Sequence, residues 1–150
     1  MTDDHTPHDA LLELQTRLAA FTKARDWGQF HTPRNLAACL SVEAAELLEL
    51  FMWTREGPGP HPPGAGPPPE HRMREEIADV LLSLLNFASA VGIDPVQAAL
   101  DKLNVLENKY PVHLARGSAV KASDRMAAEH AANSDDAGEA SEPVDEASGE

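Results

Sequence analysis

The sequence predicts an all-α protein: an antiparallel four-helix bundle-like domain followed by an acidic tail. Three observations predict it. Helix starts are marked by a capping oxygen followed by proline at Thr6-Pro7, Thr32-Pro33 and Asp94-Pro95. Proline suits a first helical position, because its missing N–H would have no partner there. Apolar residues recur at offsets of three and four, no segment alternates as a strand would, and short links favour antiparallel neighbours.

The first helix is expected from Pro7 to about Asp26, with Leu11, Leu14, Leu18 and Phe21 along one face. The second runs from Pro33 to about Trp53 and carries Leu36, Leu40, Leu47 and Leu50. The stretch "GPGPHPPGAGPPP", Gly57–Pro69, can form neither helix nor ladder, and reads as a loop insertion of polyproline character. A third helix begins near Glu70 and reaches Val91, where Gly92 is placed to end it. Its segment "VLLSLLNFASAV" is apolar on nearly every side, which calls for burial on most faces. The fourth helix runs from Pro95 to about Lys109 and stops before Pro111. Residues 1–117 thus form the expected domain. Residues 118–150 lack apolar periodicity and read as a disordered tail.

Charge narrows the function classes. The formal net charge is −13; residues 122–150 hold nine acidic side chains and one basic, a net of −8, which leaves −5 for residues 1–121. Binding of nucleic acid through a broad basic surface is therefore not expected. The longest nearly apolar run, Val80–Val91, is too short to cross a bilayer, and the polar start lacks a signal-peptide core, so no membrane association is expected. Cys39 is the single cysteine, which excludes an intramolecular disulfide. These features together suggest a cytoplasmic protein.

The chemistry concentrates in acidic pairs. Glu43, Glu46 and Glu49 recur at every third position of the second helix, and at about 100° per residue they share one side. Glu75, Glu76 and Asp79 open the third helix. If the two helices pack antiparallel, Glu43 and Glu46 face Glu76 and Asp79. Four carboxylates at such quarters repel, and some take up protons unless a cation joins them. Carboxylate oxygens are hard ligands, suited to Mg²⁺ or Mn²⁺. A lone E-x-x-E is ordinarily a solvated helix face. Here the matched E-x-x-D and the apolar run beside Asp79 bring a metal site level with that reading. No predicted helix has glutamate followed three residues later by histidine, so a di-iron centre is disfavoured. Cys39, one turn before Glu43, suits packing better than Mg²⁺. No nucleophile elbow, phosphate-binding glycine loop or Cys-x-x-Cys is present.

With E-x-x-E at Glu43 and Glu46 and E-x-x-D at Glu76 and Asp79, the chain resembles the MazG-like all-α nucleoside triphosphate pyrophosphohydrolases. The flanks "ARDWGQFHTPRNLAACLSVEAAELLELFMW" (Ala24–Trp53) and "KYPVHLARGS" (Lys109–Ser118) are similar to the dCTP pyrophosphatase branch. The likeness covers roughly Leu11 to Ser123, and the D-W-x-Q-F-H-x-P-R-N stretch is its most specific part.

The resemblance implies Mg²⁺-dependent cleavage of a nucleoside triphosphate, dCTP or a modified pyrimidine triphosphate, to the monophosphate and pyrophosphate. It implies a homodimer or homotetramer with a role in nucleotide pool sanitation. It assigns Glu43, Glu46, Glu76 and Asp79 to metal binding and catalysis. A carboxylate not fully engaged by metal could accept the proton of the attacking water, and Glu46 is the choice for that role. Trp27 and Trp53 would flank the base, and His31 and Asn35 would reach the substrate. Lys102, Tyr110, Arg116 and Lys121 match the region that meets the phosphates. Leu18, Ser83 and Leu106 depart from a common histidine, tyrosine and asparagine, which bears on base and sugar fit. Two alternatives stand beside this reading: a pyrophosphohydrolase for another non-standard nucleotide, and a non-catalytic helical binding module.

Overall fold

The computed structural model describes residues 7–55, 57 and 60–127. Among them every regular element is helical. The elements are α1 (Pro7–Ala24), a 3-10 turn (Trp27–Gln29), α2 (Pro33–Glu49), α3 (Glu70–Val91), α4 (Pro95–Lys109) and α5 (Val112–Ala115). The chain divides into two compact units, Met1–Ala98 and Ala99–Glu150. No single described helix is long and apolar enough to cross a membrane.

Two of the three expected caps lie within the described residues, and both form. Thr32 Oγ1 accepts the Asn35 N–H at 3.3 Å. Asp94 Oδ1 accepts from the N–H groups of Val96 at 2.8 Å and Gln97 at 3.1 Å. Each satisfies donors that a helix start leaves open, a contribution of about 1 kcal/mol. Thr6 lies outside the described residues. At the other end of α3, Gly92 adopts φ 68° and returns its N–H to Ser89 O, as a left-handed C-terminal cap requires.

Two helix ends differ from the sequence expectation for local reasons. α1 stops at Ala24 because Asp26 turns left-handed at φ 53°, where the Gln29 carboxamide bonds its carbonyl and carboxylate at 3.0 and 2.9 Å. α2 ends at Glu49 instead of Trp53. Beyond it the N–H groups of Phe51 and Met52 bond Leu48 O and Glu49 O, so the ladder tightens from four residues to three.

In the first unit, α2 and α3 pack along their lengths, and α1 packs on α3. The inward stripe of α2 is Leu36, Leu40, Glu43, Leu47 and Leu50, with Leu36 buried and the rest half-buried. That of α3 includes Met73, Glu76, Val80 and Ser83, all half-buried, while the fully buried Leu85 lies on the other side of the helix. The middle of α2 meets Glu76, whereas its end at Glu49 and Leu50 lies with His71 and Arg72. The two helices therefore run antiparallel, and each buries one glutamate within its apolar stripe.

The second unit comprises the rest of α4, α5 and a helical segment over residues 122–127. That segment lies inside the stretch expected to be disordered. The remainder of the acidic tail, residues 128–150, falls outside the described residues.

Candidate active site

The acidic residues come together as α2 and α3 cross. Glu43, Glu46 and Glu76 each offer a carboxylate oxygen within 4.8 Å of the others. Glu43 and Glu76 are half-buried and Glu46 is exposed. Asp79 lies outside this triad but acts on Glu43 electrostatically.

Electrostatics follow from that placement. Desolvation within the apolar stripe raises the Glu43 pKa, and the charges of Glu46, Asp79 and Glu76 push it further in the same direction. A hydrogen bond with the Glu46 carboxyl adds to the rise. Such burial and crowding are unlike a fully solvated helix face. Every donor in the triad is a carboxylate oxygen drawn from two helices. That set fits a hard divalent cation and lacks the thiolate and imidazole donors that softer metals prefer. Cys39 is exposed and stands apart from the triad.

Of the aromatic and histidine candidates, His31 and Trp53 each line a cavity, whereas Trp27 lines neither. Trp27 sits in the 3-10 turn with its ring edge against Phe21, centroids 5.7 Å apart, and the Arg25 guanidinium covers the Phe21 ring. His31 tilts against Trp27 at 6.4 Å and lines a cleft of about 420 Å³ between α1 and α3, to which Leu18 and Asn86 also contribute. Asn35 is engaged locally, its carboxamide donating to Phe30 O at 2.9 Å. Trp53 is 77 % exposed and lines a second cavity of about 670 Å³ under the proline-rich linker.

The remaining candidates belong to the second unit. Lys102 is exposed on α4, Tyr110 is half-buried just past it, and Arg116 and Lys121 are exposed beyond α5. The Tyr110 N–H bonds Leu106 O at 2.8 Å, continuing the α4 ladder.

Two residues absent from the sequence-derived site stand next to it. Glu49, third in the glutamate series, lines the linker cavity. Arg72 lines the same cavity, and its Nη2 lies 3.8 Å from Glu76 Oε1. The only advance signal for Arg72 was its position one turn before Glu76.

Comparison with known proteins places this geometry in context. The MazG-like family model matches residues 39–124, a span that holds all four motif carboxylates. The chain is 42 % identical over 121 residues to dCTP pyrophosphatase 1 of Mus musculus, covering 79 % of this chain and 69 % of that protein. It is 40 % identical over 116 residues to the Homo sapiens protein of the same name, covering 77 % and 68 %. Among solved structures, a pyrophosphatase from Archaeoglobus fulgidus aligns with TM-score 0.59 and 36 % identity, over 71 % of this chain and 97 % of that one.

Proposed function

Because the chain belongs to the MazG-like family, we propose that it is a Mg²⁺-dependent nucleotide pyrophosphohydrolase acting on dCTP or a related pyrimidine triphosphate. The products are the nucleoside monophosphate and pyrophosphate. One observation carries the reading: three carboxylates from two motif-bearing helices converge within 4.8 Å, with two of them set into apolar stripes. The names of the mouse and human relatives support dCTP as the first substrate to try.

Glu43, Glu46, Glu76 and Asp79 are the residues to hold the metal, with Mg²⁺ favoured and Mn²⁺ a substitute. When bound, such a cation offsets phosphate charge and makes water more acidic. The protein's own contribution follows from burial. Glu43 and Glu76 sit in low-polarity surroundings and gain most from a positive partner. Glu46 is exposed and hydrogen-bonded to Glu43, free on its outer side to accept the proton of a water attacking phosphorus. Water oxygen then bonds to phosphorus, the phosphoanhydride bond breaks, and pyrophosphate departs with the bonding electrons.

Trp27 and Trp53 offer faces on which a base can stack, and His31, tilted against Trp27, opens onto the cleft between α1 and α3. Lys102, Tyr110, Arg116 and Lys121 are the residues to meet the phosphates. Their assignment rests on the family resemblance. The same resemblance supports a cytoplasmic role in cleansing the nucleotide pool.

Self-association is part of this reading. On and just after α2, Val42, Leu48, Met52 and Trp53 are 54, 65, 57 and 77 % exposed. Apolar surface on this scale is rarely left to water. Sedimentation equilibrium is expected to give a mass of two or four chains, and a monomer at micromolar concentration would refute it.

The activity is tested by incubating the protein with each common ribo- and deoxynucleoside triphosphate plus Mg²⁺ and following pyrophosphate. Release fastest with dCTP is expected. Release from none would refute the proposal, and a strong preference for a purine would favour the alternative substrate class.

A further inference from the structure

Arg72 stands where helix physics does not want a cation. It is the third residue of α3, inside the first turn, where the helix dipole presents positive charge and favours acids. Its partner Glu76 lies four residues C-terminal, the weaker orientation of such a pair, and the contact is long at 3.8 Å. Arg74 makes the contrast. It reaches back to Glu70, the first residue of the helix, at 2.8 Å, in the favourable orientation. Arg74 therefore serves the helix and Arg72 does not. A residue that breaks local preference without structural return points to function.

Its surroundings suggest which function. Arg72 lines the linker cavity of about 670 Å³, a size suited to a nucleotide. Trp53 and Glu49 close one side, His71 adjoins Arg72, and Pro67, Pro68 and Pro69 form the opposite wall. The linker is held in place by the Arg55 N–H donating to Ala65 O at 2.9 Å and the Ala65 N–H donating to Pro62 O at 3.0 Å. The segment that reads as a loop insertion thus builds a wall beside the acidic triad. Arg72 is the fully charged cation among the described cavity residues, and its side chain keeps 53 % exposure. The neighbouring triad repels a polyphosphate, so a guanidinium at the boundary between triad and cavity supplies both charge and planar donors for phosphate oxygens.

We infer that Arg72 is an anion-binding residue, which holds the phosphates of the nucleotide at the mouth of the linker cavity, one helical turn from Glu76. This rests on the proposed pyrophosphohydrolase reading and adds a substrate contact that belongs to this linker.

Two titrations test it on the full chain, one with Mn²⁺ alone and one with Mg²⁺ plus α,β-methylene-dCTP. Arg72→Ala is expected to weaken nucleotide binding about tenfold, the usual effect of losing a charged hydrogen bond. It is expected to tighten Mn²⁺ binding about twofold, since a positive charge leaves the triad. Arg72→Lys keeps the charge, so Mn²⁺ affinity stays put while part of the nucleotide affinity returns. Arg74→Ala changes neither. These opposite signs cannot come from a damaged fold, which would weaken both ligands together. Unchanged nucleotide binding in Arg72→Ala, or equal losses in Arg72→Ala and Arg74→Ala, overturns the inference. Wild-type protein that binds Mn²⁺ but no nucleotide overturns the proposed function and this inference with it.

Discussion

Replacing Glu46 by glutamine is expected to lower kcat by about 10² to 10⁴, the range for loss of a general base. Glu46 is the exposed member of the triad, so the change removes a proton acceptor without opening a cavity. Circular dichroism and melting temperature should stay near wild type. Metal binding is the competing explanation for a slow variant, and the two separate on titration. If Glu46 acts mainly as a ligand, activity returns as Mg²⁺ is raised. If it takes the proton of water, saturating Mg²⁺ leaves kcat low. Full activity in Glu46→Gln would remove it from the mechanism.

Replacing Glu43 by glutamine should give the opposite balance of stability and function. Its pKa is raised by desolvation and by Glu46, Asp79 and Glu76, so its ionised form opposes folding at neutral pH. The sign follows from linkage. A carboxyl that binds its proton more tightly when folded destabilises the protein above its folded pKa, and the penalty fades as pH falls toward 4.5. In chelator at neutral pH the variant should therefore melt slightly higher than wild type, a small gain because Glu43 keeps contact with water, and one that is lost in acid. Added Mg²⁺ should stabilise wild type by mass action and leave the variant almost unmoved. A variant that melts lower in chelator, or keeps the Mg²⁺ shift, would contradict the placement of Glu43 in a metal-binding triad.

The fold was legible wherever local chemistry decides it. Thr32, Asp94, Pro33, Pro95 and Gly92 act through backbone groups a few residues away, and the structure uses them as their types predict. α3 and α4 end where proline and glycine force them to. The ends of α1 and α2 were less legible, because Asp26 and Phe51 belong to residue types that also sit inside helices. Their turns are set by the left-handed Asp26 and by the tightening after Leu48.

The acidic motif was legible as a pair of spacings, but its depth was not. Periodicity places Glu43 on a helix side shared with Glu46; packing puts it in line with Leu40 and Leu47 and leaves Glu46 outside. Trp53 was found as an aromatic at a helix end. The cavity it lines was not, because the proline-rich linker carries no periodic signal and its path depends on the Arg55–Ala65 backbone bond. Glu49, third in the glutamate series, belongs to that cavity wall. Arg72 was passed over because a charge pair at a spacing of four looks like an ordinary helix surface until its neighbours are known.

In the proposed reaction the acidic triad directs hydrolysis to give monophosphate and pyrophosphate. Anion-exchange separation of the products formed from dCTP, with Mg²⁺ and with chelator, tests it most directly. The expected products are dCMP and pyrophosphate in equal amounts with Mg²⁺ and neither with chelator. Formation of dCDP and orthophosphate, or turnover that persists in chelator, would contradict it.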